Sequence, residues 1–218
     1  MNAKVHPLAW IIAALVRGLS GVQVDWQGCA PEGRQRVYFA NHSSHLDFLV
    51  LWSALPPAVR AKTRPVAAKD YWGSGFRSYL AERVFRAVLV ERHAGSKAAS
   101  EGDARSARFR VIDQLSEALG ESDSLIFFPE GTRGSGERVA EFKSGLYHLA
   151  KRRPEVELIP AYLENLNRIL PKGEVLVVPF LSMLTFGSAI RVEDGESKPE
   201  FLSRAHSALC ALRRKRGV

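Results

Sequence analysis

Short apolar runs alternate with longer segments of helical periodicity along most of this chain, and that alternation restricts its fold more than any other feature. Strand-like runs lie at residues 22–26, 37–40, 66–68, 86–90, 125–128 and 158–162, with two more within 174–190. Segments with the spacing of amphipathic helices lie at residues 44–54, 74–84, 104–119, 142–152 and 199–213. Strands that alternate with helices indicate an α/β fold. No polar linker divides the 218 residues, so the sequence predicts a single domain with a mixed, largely parallel sheet flanked by helices.

The first 20 residues form a segment of their own. Residues 7–16 are a continuous apolar run, but crossing a bilayer takes about 20 such residues. A signal peptide would end in a small-residue cleavage site, whereas Arg17 follows this run at once. We therefore expect a helix within residues 1–20 that either packs on the domain or lies in a membrane interface. The remaining residues divide into a domain at 21–213 and a basic tail at 214–218.

The chain carries an excess of positive charge, with 31 Lys and Arg against 23 Asp and Glu and a formal net charge of +8. Such an excess favours an anionic partner, which a nucleic acid, an acidic protein or a membrane surface would supply. A solvated basic surface is the alternative. Proteins that bind single-stranded nucleic acids place aromatic rings among their basic residues, yet the Arg-rich stretch at 92–110 holds Phe109 alone. We therefore expect no nucleic-acid partner.

The two cysteines, Cys29 and Cys210, lie far apart in the sequence. They match neither a zinc-binding nor a redox spacing. We expect packed thiols in a reducing compartment, and no metal site.

Two turns that follow strand-like runs carry the candidate chemistry, because ligands of α/β sheets bind beyond the carboxyl ends of the strands. The first turn follows residues 37–40 and reads Asn-His-Ser-Ser-His-Leu-Asp. Its His42 and Asp47 would point about 140° apart on a regular helix. If His42 lies in the turn and Asp47 near the start of the next helix, the chain can fold back and join them. The carboxylate would then orient the imidazole as a general base for a hydroxyl, although His42 could also be a structural histidine.

The second turn follows residues 125–128 and reads Pro-Glu-Gly-Thr-Arg. Gly131 permits close approach of the backbone to a ligand. Arg133 presents a planar fork that suits a phosphate or carboxylate. Glu130 and Thr132 have side chains that hydrogen-bond polar groups, so this turn predicts a polar binding site.

Together the two turns resemble the 1-acylglycerol-3-phosphate acyltransferase family, whose marks are Asn-His-x-Ser-x-x-Asp and, later, Phe-Pro-Glu-Gly-Thr-Arg. Both blocks occur in full, at residues 41–47 and 128–133. Weaker counterparts of family segments stand at residues 67–70, 88–92, 142–145 and 159–162. The block at 88–92 lacks the glycine and aromatic-Ile pair that often precede its arginine, and Ala161-Tyr162 replaces a small aliphatic pair. The resemblance runs from about residue 22 to 190 and implies a glycerolipid acyltransferase-like fold.

The resemblance implies that a fatty acyl chain moves from a thioester to the free hydroxyl of 1-acylglycerol-3-phosphate, giving phosphatidate for phospholipid biosynthesis. His42 would be the general base and Asp47 would orient it. Because no cysteine lies near either turn, we expect direct transfer without an acyl-enzyme. The thioester is already activated, so we expect no cofactor beyond the co-substrate, either acyl-CoA or acyl-acyl carrier protein.

The resemblance also implies which residues hold the lysophospholipid acceptor. Its phosphate would be bound by cations, and its hydroxyls by the second of the two turns, which follows residues 125–128. The implied phosphate ligands are Arg133, Arg92 and Lys69. The implied turn residues are Glu130, which would bind the hydroxyls, with Gly131 and Thr132 beside it.

Two other functions stay open from the sequence. The acceptor could be another lysophospholipid or a lyso-aminolipid such as lyso-ornithine lipid, because the family includes such members. Less expected is a non-catalytic module that binds a membrane. Whichever lysolipid is the acceptor, we expect the enzyme to be a peripheral or monotopic protein on the cytoplasmic side of the cell membrane. Its basic tail would lie against anionic lipid.

Overall fold

The computed structural model describes residues 6–44, 46–91, 101–165 and 182–214, with the backbone alone for 101–105. The strands are β1 Gln23–Trp26, β2 Arg36–Ala40, β3 Thr63–Ala68, β4 Val88–Val90, β5 Ser124–Phe127, β6 Glu157–Glu164 and β7 Met183–Phe186. The helices are α1 Pro7–Ser20, α2 Asp47–Ala54, α3 Pro57–Arg60, α4 Lys69–Trp72, α5 Gly75–Tyr79, α6 Glu101–Leu119, α7 Gly145–Arg152 and α8 Lys198–Ala211. A π-helical turn, Leu80–Val84, continues α5.

The strands form one sheet in the order β1-β7-β6-β2-β5-β3-β4. β6, β2, β5, β3 and β4 run parallel, whereas β7 is antiparallel to β6 and β1 is parallel to β7. The expected α/β fold with a mixed, largely parallel sheet is therefore confirmed. Because β2 and β5 are parallel neighbours, the two turns singled out in the sequence begin at the same edge of the sheet.

Two layers of helices bury the two faces of the sheet. All five residues of β2 are buried, as expected for a central strand of a parallel sheet. Tyr38 and Ala40 face the layer that includes α1 and α2, whereas Val37 and Phe39 face α6, α7 and α8. The alternation follows from the two-residue period of a strand.

Several element boundaries differ from those expected from the sequence. The helix expected from residue 44 begins at Asp47, because the Asp47 carboxylate accepts hydrogen bonds from the N–H groups of Ser43 and Ser44 and holds them in a turn. The strand expected from residue 86 begins at Val88, since Arg86 has a φ of 53°. Helices α3 and α4, which have four residues each, were not expected from the sequence. Of the expected strands within 174–190, β7 is present and residues 174–181 lie outside the described part.

The N-terminal helix packs on the domain and also leaves an apolar face uncovered. Ala9 and Ala13 are buried in the core that contains α2. Four side chains of the opposite face are about half exposed: Trp10, Ile11, Leu15 and Leu19. Within the described ranges, no helix has the length and apolar character needed to cross a bilayer.

Other sequence expectations concern the cysteines and the tail. Cys29 and Cys210 are half-buried free thiols, and burial raises the pKa of both.

Arg214, the first residue of the expected tail, lies 3.6 Å from the Asp25 carboxylate. The rest of the tail, residues 215–218, lies outside the described part of the chain.

Candidate active site

The first of the two motif turns, residues 41–47, is fixed to the sheet by Asn41, which follows β2 directly. Its side-chain amide donates to the Leu163 carbonyl at 2.9 Å, and its oxygen accepts from the Leu163 N–H at 2.8 Å. The buried side chain thus takes the place of a peptide group and extends the ladder between β2 and β6. The next residue, His42, therefore leaves the sheet at a defined position.

His42 and Asp47 meet across the start of α2. His42 lies in the loop, and Asp47 is the first residue of the helix, so the chain turns back and brings His42 Nδ1 to 2.8 Å from Asp47 Oδ2. The same carboxylate oxygen accepts from the N–H groups of Ser43 at 2.6 Å and Ser44 at 2.8 Å. Asp47 is fully buried. Its carboxylate is thereby held rigidly and can orient the imidazole.

The other ring nitrogen of His42 is available for chemistry. A carboxylate at Nδ1 favours the tautomer with its proton on Nδ1, which leaves a lone pair on Nε2. No described residue makes a hydrogen bond to Nε2. The ring stacks on Phe128, with the two centroids 4.3 Å apart and the planes 22° apart. The imidazole is therefore fixed on one edge and one face, while Nε2 can accept a proton.

Glu130 lies beneath this loop and binds its backbone. The carboxylate is 3% exposed. Oε1 accepts from the His42 N–H at 2.7 Å and Oε2 from the Ala140 N–H at 2.8 Å. Burial raises the pKa of the Glu130 carboxyl above its ordinary value, against the opposing effect of these two hydrogen bonds. Both oxygens accept hydrogen bonds from backbone N–H groups, and Glu130 lines neither of the two cavities described below. This geometry differs from the one that the resemblance implies, in which Glu130 binds the hydroxyls of the acceptor.

The three other candidate binding residues of the turn after β5 differ in conformation, exposure and charge. Gly131 has a φ of +69°, in the left-handed region that favours glycine. Thr132 is exposed and lines neither cavity. Arg133 is half-buried, and its guanidinium makes no ion pair with a carboxylate of the described residues. Of the three, Arg133 has the free charge that an anionic ligand would need.

A cavity of about 500 Å³ opens at His42 and extends between the sheet and α6. Its wall is mostly apolar, from side chains of β3, β4, β5 and α6. These are Val66, Val90, Phe127, Val111, Ile112 and Leu115. Polar residues line other parts of it, among them Lys143, Glu91 and Arg108.

A second cavity of about 210 Å³ also opens at His42 and contains Arg133 and Asp70. Aromatic side chains of α2 and α4, Phe48 and Trp72, form part of its wall. Among the residues that the structure describes, five line both cavities: His42, Val66, Ala67, Ala68 and Phe128. His42 therefore lies where a mostly apolar cavity meets a smaller cavity that is lined by Arg133.

Of the other two residues implied as phosphate ligands, the structure describes Lys69 but not Arg92. Lys69 begins α4, and its ammonium lies 3.1 Å from Glu91 Oε1, with more than half of both side chains exposed. It lines neither cavity. Arg92 lies outside the described residues, so its role stays a prediction.

Three residues lie at the site in the structure although no role there was expected for them from the sequence. Asn41 and Phe128 stand inside the two blocks that carry the resemblance, so their motif positions were a usable signal. Lys143 was noted only as part of a segment before a helix. Its position on the larger cavity depends on how α7 packs, which local sequence does not reveal.

Comparison with known proteins gives a match over most of the chain. The family model described as Acyltransferase matches residues 21–180. The 1-acyl-sn-glycerol-3-phosphate acyltransferase of Limnanthes alba is 28% identical over 185 residues, which cover 84% of this chain and 60% of the plant protein. The 1-acyl-sn-glycerol-3-phosphate acyltransferase alpha of Homo sapiens is 27% identical over 165 residues, covering 73% of this chain and 52% of the human protein. This chain thus matches between half and two thirds of the length of these relatives.

A solved structure shows the same fold. The crystal structure of the 1-acyl-sn-glycerophosphate acyltransferase PlsC from Thermotoga maritima superposes with a TM-score of 0.68 and 18% sequence identity. The similarity covers 94% of this chain and 77% of that one. At this identity the likeness establishes the fold alone.

Proposed function

Because this chain belongs to the acyltransferase family, whose model matches residues 21–180, we propose that it transfers a fatty acyl chain to a lysophospholipid. The acceptor we favour is 1-acylglycerol-3-phosphate and the product phosphatidate. One observation carries the proposal. The imidazole of His42 is held by Asp47 at Nδ1, while the residue itself lines both an apolar cavity and a cavity that contains Arg133.

The cavities suit the two substrates of such a reaction. The larger one has an apolar wall that matches a fatty acyl chain, and its opening at His42 would place the thioester carbonyl beside Nε2. The smaller one offers Arg133, whose planar guanidinium binds a phosphate through two parallel hydrogen bonds. A phosphate there would bring the acceptor's free hydroxyl to the same nitrogen. We retain Arg92 and Lys69 as proposed auxiliary phosphate ligands.

The reaction needs one proton carrier. His42 Nε2 takes the proton of the acceptor hydroxyl as the hydroxyl oxygen forms a bond to the thioester carbonyl carbon. The π electrons of the carbonyl move onto its oxygen and form an oxyanion. When the C=O bond re-forms, the C–S bond breaks and the departing thiolate takes the proton from the imidazolium. Asp47 stabilises the imidazolium between these steps.

Asn41 and Glu130 act as positioning residues in this proposal. Asn41 fixes the loop to β6, and Glu130 binds the backbone N–H of His42. The backbone N–H of Gly134 donates to the His42 carbonyl at 2.8 Å, so both sides of the residue are held. Restricting the imidazole in this way lowers the entropy cost of reaching a reactive geometry.

The uncovered face of α1 is the surface we propose to meet the membrane. Trp10, Ile11 and Leu15 lie on it, and Arg17 on the same helix is exposed. Apolar and aromatic side chains insert at the boundary between headgroups and acyl chains, while a basic residue favours anionic lipid. The protein would then bind the cytoplasmic face of the cell membrane as a peripheral or monotopic enzyme, where lysophospholipid is available.

A panel of donors and acceptors tests the proposal. The purified protein is given palmitoyl-CoA or palmitoyl-acyl carrier protein with 1-acylglycerol-3-phosphate, other lysophospholipids or lyso-ornithine lipid, and the products are identified by mass spectrometry. We expect phosphatidate to form fastest, with turnover abolished by His42→Ala at unchanged circular dichroism. Faster acylation of another acceptor would show that this lipid, and not 1-acylglycerol-3-phosphate, is the preferred acceptor. Unchanged turnover in the variant would refute the mechanism.

A further inference from the structure

The cations around His42 separate according to the cavity that they face. Arg133 lines the smaller cavity and not the larger one, whereas Lys143 lines the larger cavity and not the smaller. If the larger cavity holds the acyl chain of the donor, Lys143 belongs to the donor side of the reaction. The proposed function gives this residue no role, and the following inference rests on that function.

Lys143 is attached to the turn that carries the rest of the site. Its backbone N–H donates to the Pro129 carbonyl at 2.9 Å. Its side chain crosses Gly131 so closely that a Cβ on this glycine would lie 2.8 Å from Nζ and 3.0 Å from Cδ. The N–H of Gly131 donates to the Phe128 carbonyl at 3.1 Å, and the Phe128 ring stacks on His42. A short chain of contacts thus connects the ammonium to the imidazole.

The absence of a side chain at position 131 is what allows this arrangement. A contact of 2.8 Å between Cβ and Nζ is shorter than van der Waals contact, so any larger residue would displace the lysine. With its φ of +69°, Gly131 also adopts a backbone conformation that other residues rarely occupy. The glycine of the second turn therefore gives the lysine room beside the cavity.

The charge of Lys143 is available to a ligand. No carboxylate among the described residues lies within 4.0 Å of its ammonium. By contrast, Lys69 at the neighbouring strand end is paired with Glu91. An unpaired cation on the wall of a largely apolar cavity will attract the negative charge that a bound substrate brings or develops.

We propose that the Lys143 ammonium binds the carbonyl oxygen of the donor thioester and stabilises the oxyanion that forms there. The acyl chain in the larger cavity would place the carbonyl carbon at His42, where the two cavities join. As the acceptor oxygen bonds to this carbon, the carbonyl π electrons move to the oxygen next to Lys143. When the C–S bond breaks, that charge leaves with the thiolate and the interaction weakens. Lys143 is thus a catalytic residue that acts on the donor, complementary to Arg133 on the acceptor.

Steady-state kinetics on Lys143→Met, Lys143→Arg and Arg133→Ala separate these roles. We use the lysophospholipid that the wild-type enzyme accepts best. Loss of an oxyanion ligand lowers kcat by about 100-fold, so we expect this loss in Lys143→Met, partial recovery in Lys143→Arg, and an acceptor KM close to that of the wild type. Arg133→Ala should instead raise the acceptor KM. Lys151→Met, at an exposed lysine in the last turn of α7, the helix that follows Lys143, is the matched control and should behave as the wild type.

A second donor distinguishes the carbonyl oxygen from a phosphate of the donor. Palmitoyl-CoA and acyl carrier protein both carry phosphate on the pantetheine arm, whereas a palmitoyl thioester of N-acetylcysteamine has none. Our inference requires the same fold-loss of kcat in Lys143→Met with either thioester. A loss confined to the phosphate-bearing donor, a selective rise in acceptor KM, or kcat equal to the wild type would overturn it. If the wild-type enzyme acylates no acceptor, the proposed function fails first, and the role of Lys143 fails with it.

Discussion

The Glu130 carboxylate accepts a hydrogen bond from the backbone N–H of His42 at 2.7 Å, so a residue of the second turn holds the proposed base of the first. Its other oxygen accepts from the Ala140 N–H at 2.8 Å. A carboxylate can accept at both oxygens, whereas an amide offers a single acceptor oxygen. Glu130 is therefore suited to join two loops that are far apart in the sequence.

Replacing this carboxylate tests whether it positions His42 or binds substrate. Glu130→Gln loses one of the two hydrogen bonds, so we expect kcat to fall by about tenfold or more while the acceptor KM stays near the wild-type value. Initial rates over a range of acceptor concentrations give both constants. A large rise in acceptor KM at unchanged kcat would instead support the role as a hydroxyl ligand that the resemblance implies.

The same carboxyl predicts how stability depends on pH. Burial raises its pKa in the folded state above the ordinary value of 4.5. The folded protein then binds more protons than the unfolded chain between these two pKa values, so this group makes the free energy of unfolding fall as pH rises from about 4.5 through the folded-state pKa. Urea denaturation of the wild type and Glu130→Gln across this range measures the difference. A steeper fall in the variant would contradict the assignment.

Asp47→Asn tests the orientation of the imidazole. The amide is nearly the same size, but it cannot hold the Nδ1 proton as a carboxylate does, and it does not stabilise an imidazolium. We expect kcat to drop by about 10³- to 10⁴-fold. Thermal unfolding is the necessary control, because Asp47 Oδ2 also accepts from Ser43 and Ser44. A folded variant with near wild-type turnover would show that His42 does not need the carboxylate.

Arg133→Ala tests the acceptor site. Removing a hydrogen bond to a charged group costs about 1.5–3 kcal/mol, so we expect the KM for 1-acylglycerol-3-phosphate to rise by about 10- to 100-fold. Inhibition by glycerol 3-phosphate, a soluble fragment with the same phosphate, should weaken in parallel. Equal losses with a phosphate-free acceptor would argue against a phosphate contact.

The outer face of α1 tests membrane binding. The double variant Trp10→Ser and Leu15→Ser removes two half-exposed apolar side chains. Fully burying one such side chain contributes about 1.5–3 kcal/mol, so we expect binding to vesicles that contain anionic lipid to weaken by at least about tenfold. Co-sedimentation with the vesicles measures it. Phe109→Ser, at a comparably exposed ring on α6, is the matched control, and equal binding by the double variant would refute this surface.

Much of the fold followed from local sequence, because strands of a parallel sheet are continuous apolar runs and their connecting helices have their own periodicity. The two motif turns were identifiable for a related reason: each follows a buried strand. The ends of helices and strands were harder to predict from local sequence. It placed the start of α2 at residue 44, because the capping of Ser43 and Ser44 by Asp47 depends on the loop conformation. Short helices such as α3 and α4 carry too few residues to show a period.

The α/β architecture, the expected pairing of His42 with Asp47 and the resemblance that led to the proposed chemistry could all be inferred from the order of residues. Tertiary structure alone decided what surrounds the imidazole. β2 and β5 are separated by more than 80 residues, and their parallel pairing brings Glu130 beneath His42. The packing of α6 and α7 on the sheet creates the larger cavity and places Lys143 on its wall. Such contacts join distant segments, and no local pattern of residues specifies them.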